Sequence, residues 1–172
     1  KVSSSSSGDG VRICCSQVDL NKARKKFRNI HTTIIIEKYI NAVYNIGVQF
    51  GIPFRKKKKI DIVGYNEQLI GKDGSYLGAI VEKNKEIPQL DKIYQMLANN
   101  ILCKIREKGW YGVGGFDVLI DKEGKFYFID SNFRMTAMTA FFALIKSKRI
   151  KKVQGIQKIN IITPRKGNIE KL

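Results

Sequence analysis

The sequence predicts an α+β fold. Two pairs of strand-forming segments are each joined by a short glycine-containing turn, and one long amphipathic helix lies between the pairs. The 172 residues include 32 basic and 15 acidic side chains, a formal net charge of +17, with 43% hydrophobic and 27% charged residues. A chain of this size and apolar content can bury a core. It excludes an acidic tail protein and wholesale disorder.

The elements follow in order. Residues 11–14 read as a short strand. Ser16 then offers a helix cap with Asp19 three residues on, and Leu20, Ala23 and Phe27 recur at helical spacing. Residues 32–39 and 45–52 are rich in β-branched and aromatic side chains and predict two strands joined by a bend. Residues 60–70 and 76–81 flank Gly71-Lys72-Asp73-Gly74-Ser75, whose Asp-Gly pair marks a hairpin turn. Residues 88–108 give the clearest helix, with Leu90, Ile93, Leu97, Ile101 and Ile105 on one stripe and Gly109 as its stop. Residues 116–121 and 126–130 form a second hairpin about Lys122-Glu123-Gly124-Lys125, followed by a helix over 136–147 and an extra strand near 159–162.

Several function classes fall away on composition. The longest nearly apolar stretch, residues 137–145, is far short of the roughly 20 residues that cross a bilayer, so no membrane partner is expected. Adjacent Cys14 and Cys15 with a solitary Cys103 make no paired framework. That favours a reducing, cytoplasmic setting with the cysteines as small packing residues. Basic residues concentrate in the run 55–59 and in residues 146–171, where nine stand against one acid, Glu170. Solvated faces and a lysine-rich composition account for this better than a nucleic-acid surface, since neither zinc-finger spacing nor an aromatic RNA-binding signature accompanies it. Lys1 opens the chain beside a small-residue loop, which reads as a fragment beginning inside a domain.

The second hairpin holds the most informative chemistry. A four-residue loop over 122–125 pairs Asp121 with Phe126 and, counting back, Asp117 with Asp130, so both carboxylates project from one face. Directly opposed like charges destabilise a sheet, and an extended chain carries Asn132 to the same side. Two carboxylates and an amide oxygen are hard ligands suited to Mg²⁺, which keeps several waters and is completed by substrate phosphates. Arg134 continues the alternation and offers a planar fork to a phosphoryl or carboxylate oxygen. Solvation of the two acids at exposed strand positions is the competing account; Asp117, within the apolar run Gly114-Gly115-Phe116-Asp117-Val118-Leu119-Ile120, argues against it. The serine run 3–7 with Gly8 and Gly10 reads either as a linker or low-complexity end, the usual meaning of such a run, or, framed as it is by Val2 and Val11, as a flexible cover whose N–H groups and hydroxyls close over phosphate oxygens. It lacks the Gly-Lys-Ser/Thr of a Walker loop.

Taken in order, Lys1 with its loop, Ile34-Ile35-Ile36-Glu37-Lys38-Tyr39-Ile40, Gly114-Gly115-Phe116-Asp117 and Ile129-Asp130-Ser131-Asn132-Phe133-Arg134 resemble the ATP-grasp superfamily, chiefly its biotin carboxylase and carboxylate-amine ligase branches. The resemblance covers residues 1–140. It implies two α+β lobes of antiparallel sheet and helices with nucleotide between them and the N-terminal part missing. Residues 1–40 would be a partial small lobe, 41–150 the large lobe with the metal hairpin, and 151–172 a basic tail or extra strand.

By the same resemblance, Lys1 contacts ATP phosphate or adenine, and Ser3, Ser4, Ser5, Ser6, Ser7, Gly8 and Gly10 belong to the mobile cover. Glu37, Lys38 and Ile40 lie on the hinge strand beside adenine, Leu119 packs beneath the base, and Asn45 meets the ribose. Asp117, Asp130 and Asn132 hold Mg²⁺ or Mn²⁺, and Arg134 with Asn132 serves the transfer itself. Aspartates 117 and 130 replace more usual glutamates or glutamine, Asn45 replaces an acid or histidine, and Phe133 stands where proline is common. The implied reaction moves the ATP γ-phosphoryl group to a small carboxylate, giving an acylphosphate that an amine or related nucleophile attacks. A charge-driven nucleic-acid-binding module and a nucleotide-binding remnant without turnover are the alternatives.

Overall fold

The structure, a computed structural model, describes residues 1–2, 10–29, 31, 33–55, 57–71, 74, 76–82 and 85–146, and the backbone of 158–162. In chain order the elements are α1 (Gln17–Phe27), β1 (Ala42–Ile52), β2 (Asp61–Ile70), β3 (Tyr76–Glu82), α2 (Leu90–Met96), a π-helical turn (Leu97–Ile101), α3 (Leu102–Glu107), β4 (Gly112–Asp121), β5 (Phe126–Asn132), α4 (Ala137–Lys146) and β6 (Lys158–Ile162). The strands run β5-β4-β1-β2-β3-β6 across the sheet. β1 is antiparallel to both β2 and β4, and β4 to β5. The α+β class is as the sequence predicts. Two compact units divide the chain: one holds the described residues of Lys1–Ile40, Leu69–Gly78 and Ile161–Leu172, the other those of Asn41–Gln68 and Ala79–Asn160.

In the first unit, α1 starts where its cap residues dictate. The Ser16 hydroxyl accepts from the Asp19 N–H at 3.1 Å and donates to the Asp19 carboxylate at 2.7 Å, satisfying a helix N-terminus that has no intrahelical partners. That hydroxyl is the main reason the Asp19 carboxyl sits below its usual range. Ala23 and Phe27, one turn apart, bury against Val2. Two expected strands are missing. Residues 11–14 form no strand, and of the expected strand over 32–39 the described residues keep one antiparallel bridge, Val2 to Ile34, with Ile36 89% exposed. Among the described residues, the β-prone run 33–36 finds only Lys1 and Val2 as a partner, and a strand without a ladder is not stable.

The second unit is organised around β1 and β4. Ile46, Val48 and Phe50 of β1 and Phe116, Val118 and Ile120 of β4 form one apolar face, covered by Ile93, Leu97 and Leu102. The covering segment matches the predicted long helix with a break in its period. The Leu102 N–H bonds to the Leu97 carbonyl, five residues back, and the Cys103 thiol donates to the Ala98 carbonyl at 3.1 Å. This wider π turn rotates the following stripe, so Leu102 is fully buried while the predicted Ile101 and Ile105 are only partly buried. Gly109, at φ +89°, ends the helix as expected. Cys103 packs as predicted; Cys14 and Cys15 are exposed, because residues 11–15 lie in no packed element. Among the described residues no helix is long and apolar enough to cross a membrane.

The β4–β5 hairpin corrects one step of the sequence reading and keeps its result. The loop has three residues: the Asp121 N–H bonds to the Lys125 carbonyl at 3.0 Å, and Ile120 lies opposite Phe126. Gly124 adopts φ +77°, the left-handed geometry that closes a three-residue loop, and Asp121 Oδ1 accepts the N–H groups of Glu123 and Lys125 at 3.1 and 2.8 Å. The pairing near the turn is thus one residue off the prediction. A bulge between Asp117 and Val118, with Ile129 as the extra residue of β5, restores it, and Asp117 lies opposite Asp130.

At the other end of β5, Phe133 turns toward the apolar side, its ring 5.2 Å from Trp110, 6.0 Å from Phe116 and 6.2 Å from Phe50. α4 then crosses the opposite face. Thr136 and Thr139 cap its first turn reciprocally, each hydroxyl accepting the other's N–H at 3.1 Å, and both hydroxyls donate to Gln49 Oε1 at 2.9 and 3.0 Å. β6 coincides with the strand predicted near 159–162; residues 151–157 and 163–172 of the expected tail lie outside the described residues.

Candidate metal and nucleotide site

The face of β1 and β4 turned away from the apolar core is polar. Along it Asn45 lies opposite Leu119, Gly47 opposite Asp117, and Gln49 opposite Gly115. β5 adds Asp130 beside Asp117 and Asn132 beside Gly115, and β2 adds Asn66 beside Gly47. Four strands therefore present one row, Asp130-Asp117-Gly47-Asn66, with Asn132 in the row next to it. Glycine makes room for a long amide here: a Cβ on Gly115 would stand 2.8 Å from Gln49 Nε2.

Asp117 is partly buried, and its carboxyl is pushed up to about 6 by that burial, opposed by a hydrogen bond from Gln68 and reinforced by the Asp130 charge. Gln68 Nε2 donates to Asp117 Oδ1 at 2.7 Å. Asp130 is exposed; its Oδ1 accepts the Ser131 N–H at 2.9 Å, and Asn132 Nδ2 makes a long 3.5 Å contact with its Oδ2. That orientation turns the amide nitrogen of Asn132 to Asp130 and leaves its oxygen for another donor. Arg134 lies past the end of β5, in a bend rather than on the strand alternation expected of it, because the ladder stops at Asn132. Its guanidinium donates to the Met135 carbonyl at 3.4 Å and is near enough to favour the Asp117 carboxylate.

The donor set fits a hard divalent cation. Two carboxylates and an amide oxygen on one face supply oxygen ligands, and the Gln68 hydrogen bond and the Arg134 charge do not offset the burial that raises the Asp117 carboxyl. Among the described residues no cluster of three acid, histidine or cysteine side chains exists. A cation held on this face would draw its other ligands from water and phosphate, as suits Mg²⁺. Two polar atoms beside the acids are also unsatisfied: the Oδ1 atoms of Asn45 and Asn66 are buried without a hydrogen-bond partner, and Asn66 is only 1% exposed.

Residues 1–132 match the family described as L-aspartate–L-methionine ligase, ATP grasp. The chain belongs to this ATP-grasp family. Solved ATP-grasp structures share its fold at low identity. The biotin carboxylase domain of 2-oxoglutarate carboxylase from Hydrogenobacter thermophilus, solved with MgADP, ADP and bicarbonate, aligns at TM-score 0.63 and 22% identity over 84% of this chain and 32% of that one. Biotin carboxylase from Campylobacter jejuni, in a β-γ-ATP complex, gives 0.61 and 24% over 82% and 32%. N5-carboxyaminoimidazole synthetase from Staphylococcus aureus, complexed with ADP, gives 0.61 and 16% over 78% and 33%. The chain spans about a third of the length of these ATP-grasp proteins.

The other expected nucleotide contacts lie in the first unit. Lys1 Nζ pairs with Glu37 Oε2 at 2.9 Å, and the Ile35 N–H donates to the Lys1 carbonyl at 2.7 Å. Lys38 is exposed and Ile40 partly buried, on a segment that is not the hinge strand expected of it. The Val2 N–H donates to the Gly10 carbonyl at 3.0 Å, closing the small-residue loop at its base; Ser3, Ser4, Ser5, Ser6, Ser7 and Gly8 lie outside the described residues. Gln68, which donates to Asp117, is a functional candidate that no motif in the sequence marks. The available signal was an amide on a strand two places from Asp117 in the sheet, with glycine at position 47 between them.

Proposed function

We propose that the chain is part of an ATP- and Mg²⁺-dependent ligase that activates a carboxylate for attack by an amine. The observation that carries this reading is the register that sets Asp117 opposite Asp130 on the polar face of a hairpin inside the family match. In this reading Asp117, Asp130 and Asn132 hold Mg²⁺, or Mn²⁺ in its place. When bound, the cation neutralises phosphate charge and orients oxygens.

Leu119, opposite Asn45, packs beneath adenine, and Asn45 offers its unpartnered oxygen to a ribose hydroxyl. Lys1, Glu37, Lys38 and Ile40, with the loop bearing Ser3, Ser4, Ser5, Ser6, Ser7, Gly8 and Gly10, are the remaining nucleotide contacts. A substrate carboxylate oxygen attacks the γ-phosphorus and ADP departs with the bridging electrons; the amine nitrogen then attacks the acyl carbon, phosphate leaves, and the nitrogen gives up a proton. Arg134 and Asn132 stabilise the charge that builds on the transferred group. The family's description makes L-aspartate and L-methionine the first pair of reactants to test.

Calorimetric titration with ATP tests the reading. Binding is expected to need Mg²⁺ and to vanish when Asp117 and Asp130 are both changed to asparagine; unchanged affinity in that variant removes the metal role. Phosphate release that requires both amino acids separates turnover from nucleotide binding alone.

A further inference from the structure

β1 separates Gln68 on β2 from Asp117 on β4, so a hydrogen bond between them has to span two inter-strand steps of roughly 4.8 Å each. The contact nevertheless closes to 2.7 Å. Two properties of the sequence permit it. Glutamine is long enough to lie along the sheet, and position 47, between the two, has no side chain. A Cβ there would stand 3.0 Å from Asn66 Oδ1 and 3.3 Å from both Asn66 Nδ2 and Gln68 Nε2.

We propose that Gln68 is a positioning residue for the metal site: its amide, passing over Gly47, fixes Asp117 Oδ1 and so presents Oδ2 to the cation. This rests on the metal-dependent reading of the same face. A carboxylate on a strand is free to rotate about its terminal torsion, and one oriented donor removes that freedom before a ligand arrives. The neighbouring Asn66 amide does not do this work, since its Nδ2 donates to the Glu67 carbonyl at 3.4 Å. A glutamine merely filling space would serve as well without its N–H.

Mn²⁺ binding to the full chain in the presence of ADP, followed by loss of the free-ion electron paramagnetic resonance signal, tests the proposal. Gln68→Met, nearly isosteric without a donor, is expected to weaken Mn²⁺ about tenfold. Its ADP affinity in EDTA should stay within about twofold of wild type. Gln68→Asn keeps an amide that is too short to cross β1 and should weaken Mn²⁺ equally. Gly47→Ala leaves Gln68 intact, obstructs its path and should act in the same direction, which carries the test if Gln68→Met does not fold. Wild-type Mn²⁺ affinity in the Gln68 variants and in Gly47→Ala overturns the role of Gln68 while Asp117→Asn still abolishes binding. Should wild type bind no Mn²⁺, or Asp117→Asn bind it normally, the metal reading itself falls.

Discussion

The two faces of β1 and β4 are one residue apart along the chain and opposite in what they do. Ile46, Val48, Phe50, Phe116, Val118 and Ile120 point to a face where each apolar side chain meets another. Asn45, Gly47, Gln49, Gly115 and Asp117, interleaved with them, point to a face of amides, glycines and an acid, where the Asn45 oxygen and that of the adjacent Asn66 on β2 have no partner. Buried polar groups without partners lower stability. The first face therefore holds the unit together, and the second gives up some of that stability, as the proposed metal and nucleotide site would require. Substitutions that treat the two faces as equivalent should show the difference.

The largest effect is expected on the apolar face. Phe50→Ala should lower unfolding free energy by about 3–5 kcal/mol, read from the midpoint of a urea titration. Leu102→Ala should cost about 2–5 kcal/mol and Ile101→Ala clearly less, because the π turn buries Leu102 and not its neighbour; the reverse order would remove that turn. Gly114→Ala brings a methyl against the Asn132 carbonyl and the Phe50 ring, and should cost about 1–3 kcal/mol while shifting Asn132. Smallest of all, Lys146→Ala removes an exposed pair with Asp61 at 2.7 Å and should change stability by less than about 1 kcal/mol.

Much of this contrast was legible in the sequence. The capping pair Ser16 and Asp19, the glycine stop at 109 and the turn about Gly124 are local signals, and each produces the element it predicts. The register of Asp117 against Asp130 follows from a four-residue loop that is one residue longer than the real one; the bulge at Ile129 compensates, and a bulge has no marker in a run such as Phe126-Tyr127-Phe128-Ile129. The strand expected over 32–39 failed because β-propensity says nothing about whether a partner exists. Gln68 stayed unassigned because its significance depends on which strand lies between β2 and β4, a fact of topology that no spacing along the chain encodes.

The most direct test of a metal face that sacrifices stability is thermal unfolding of wild type and Asp117→Asn in EDTA and in MgATP. A carboxyl that titrates near 6 in the folded protein and near 3.8 when unfolded favours folding fully below 3.8, and that contribution is lost as pH rises through 6. In EDTA at pH 8, Asp117→Asn should therefore gain up to about 3 kcal/mol over wild type, the advantage disappearing near pH 4. With MgATP the order should reverse, wild type rising and the variant staying where it was. A variant that is no more stable in EDTA at pH 8, and is raised by MgATP as much as wild type, would contradict the account.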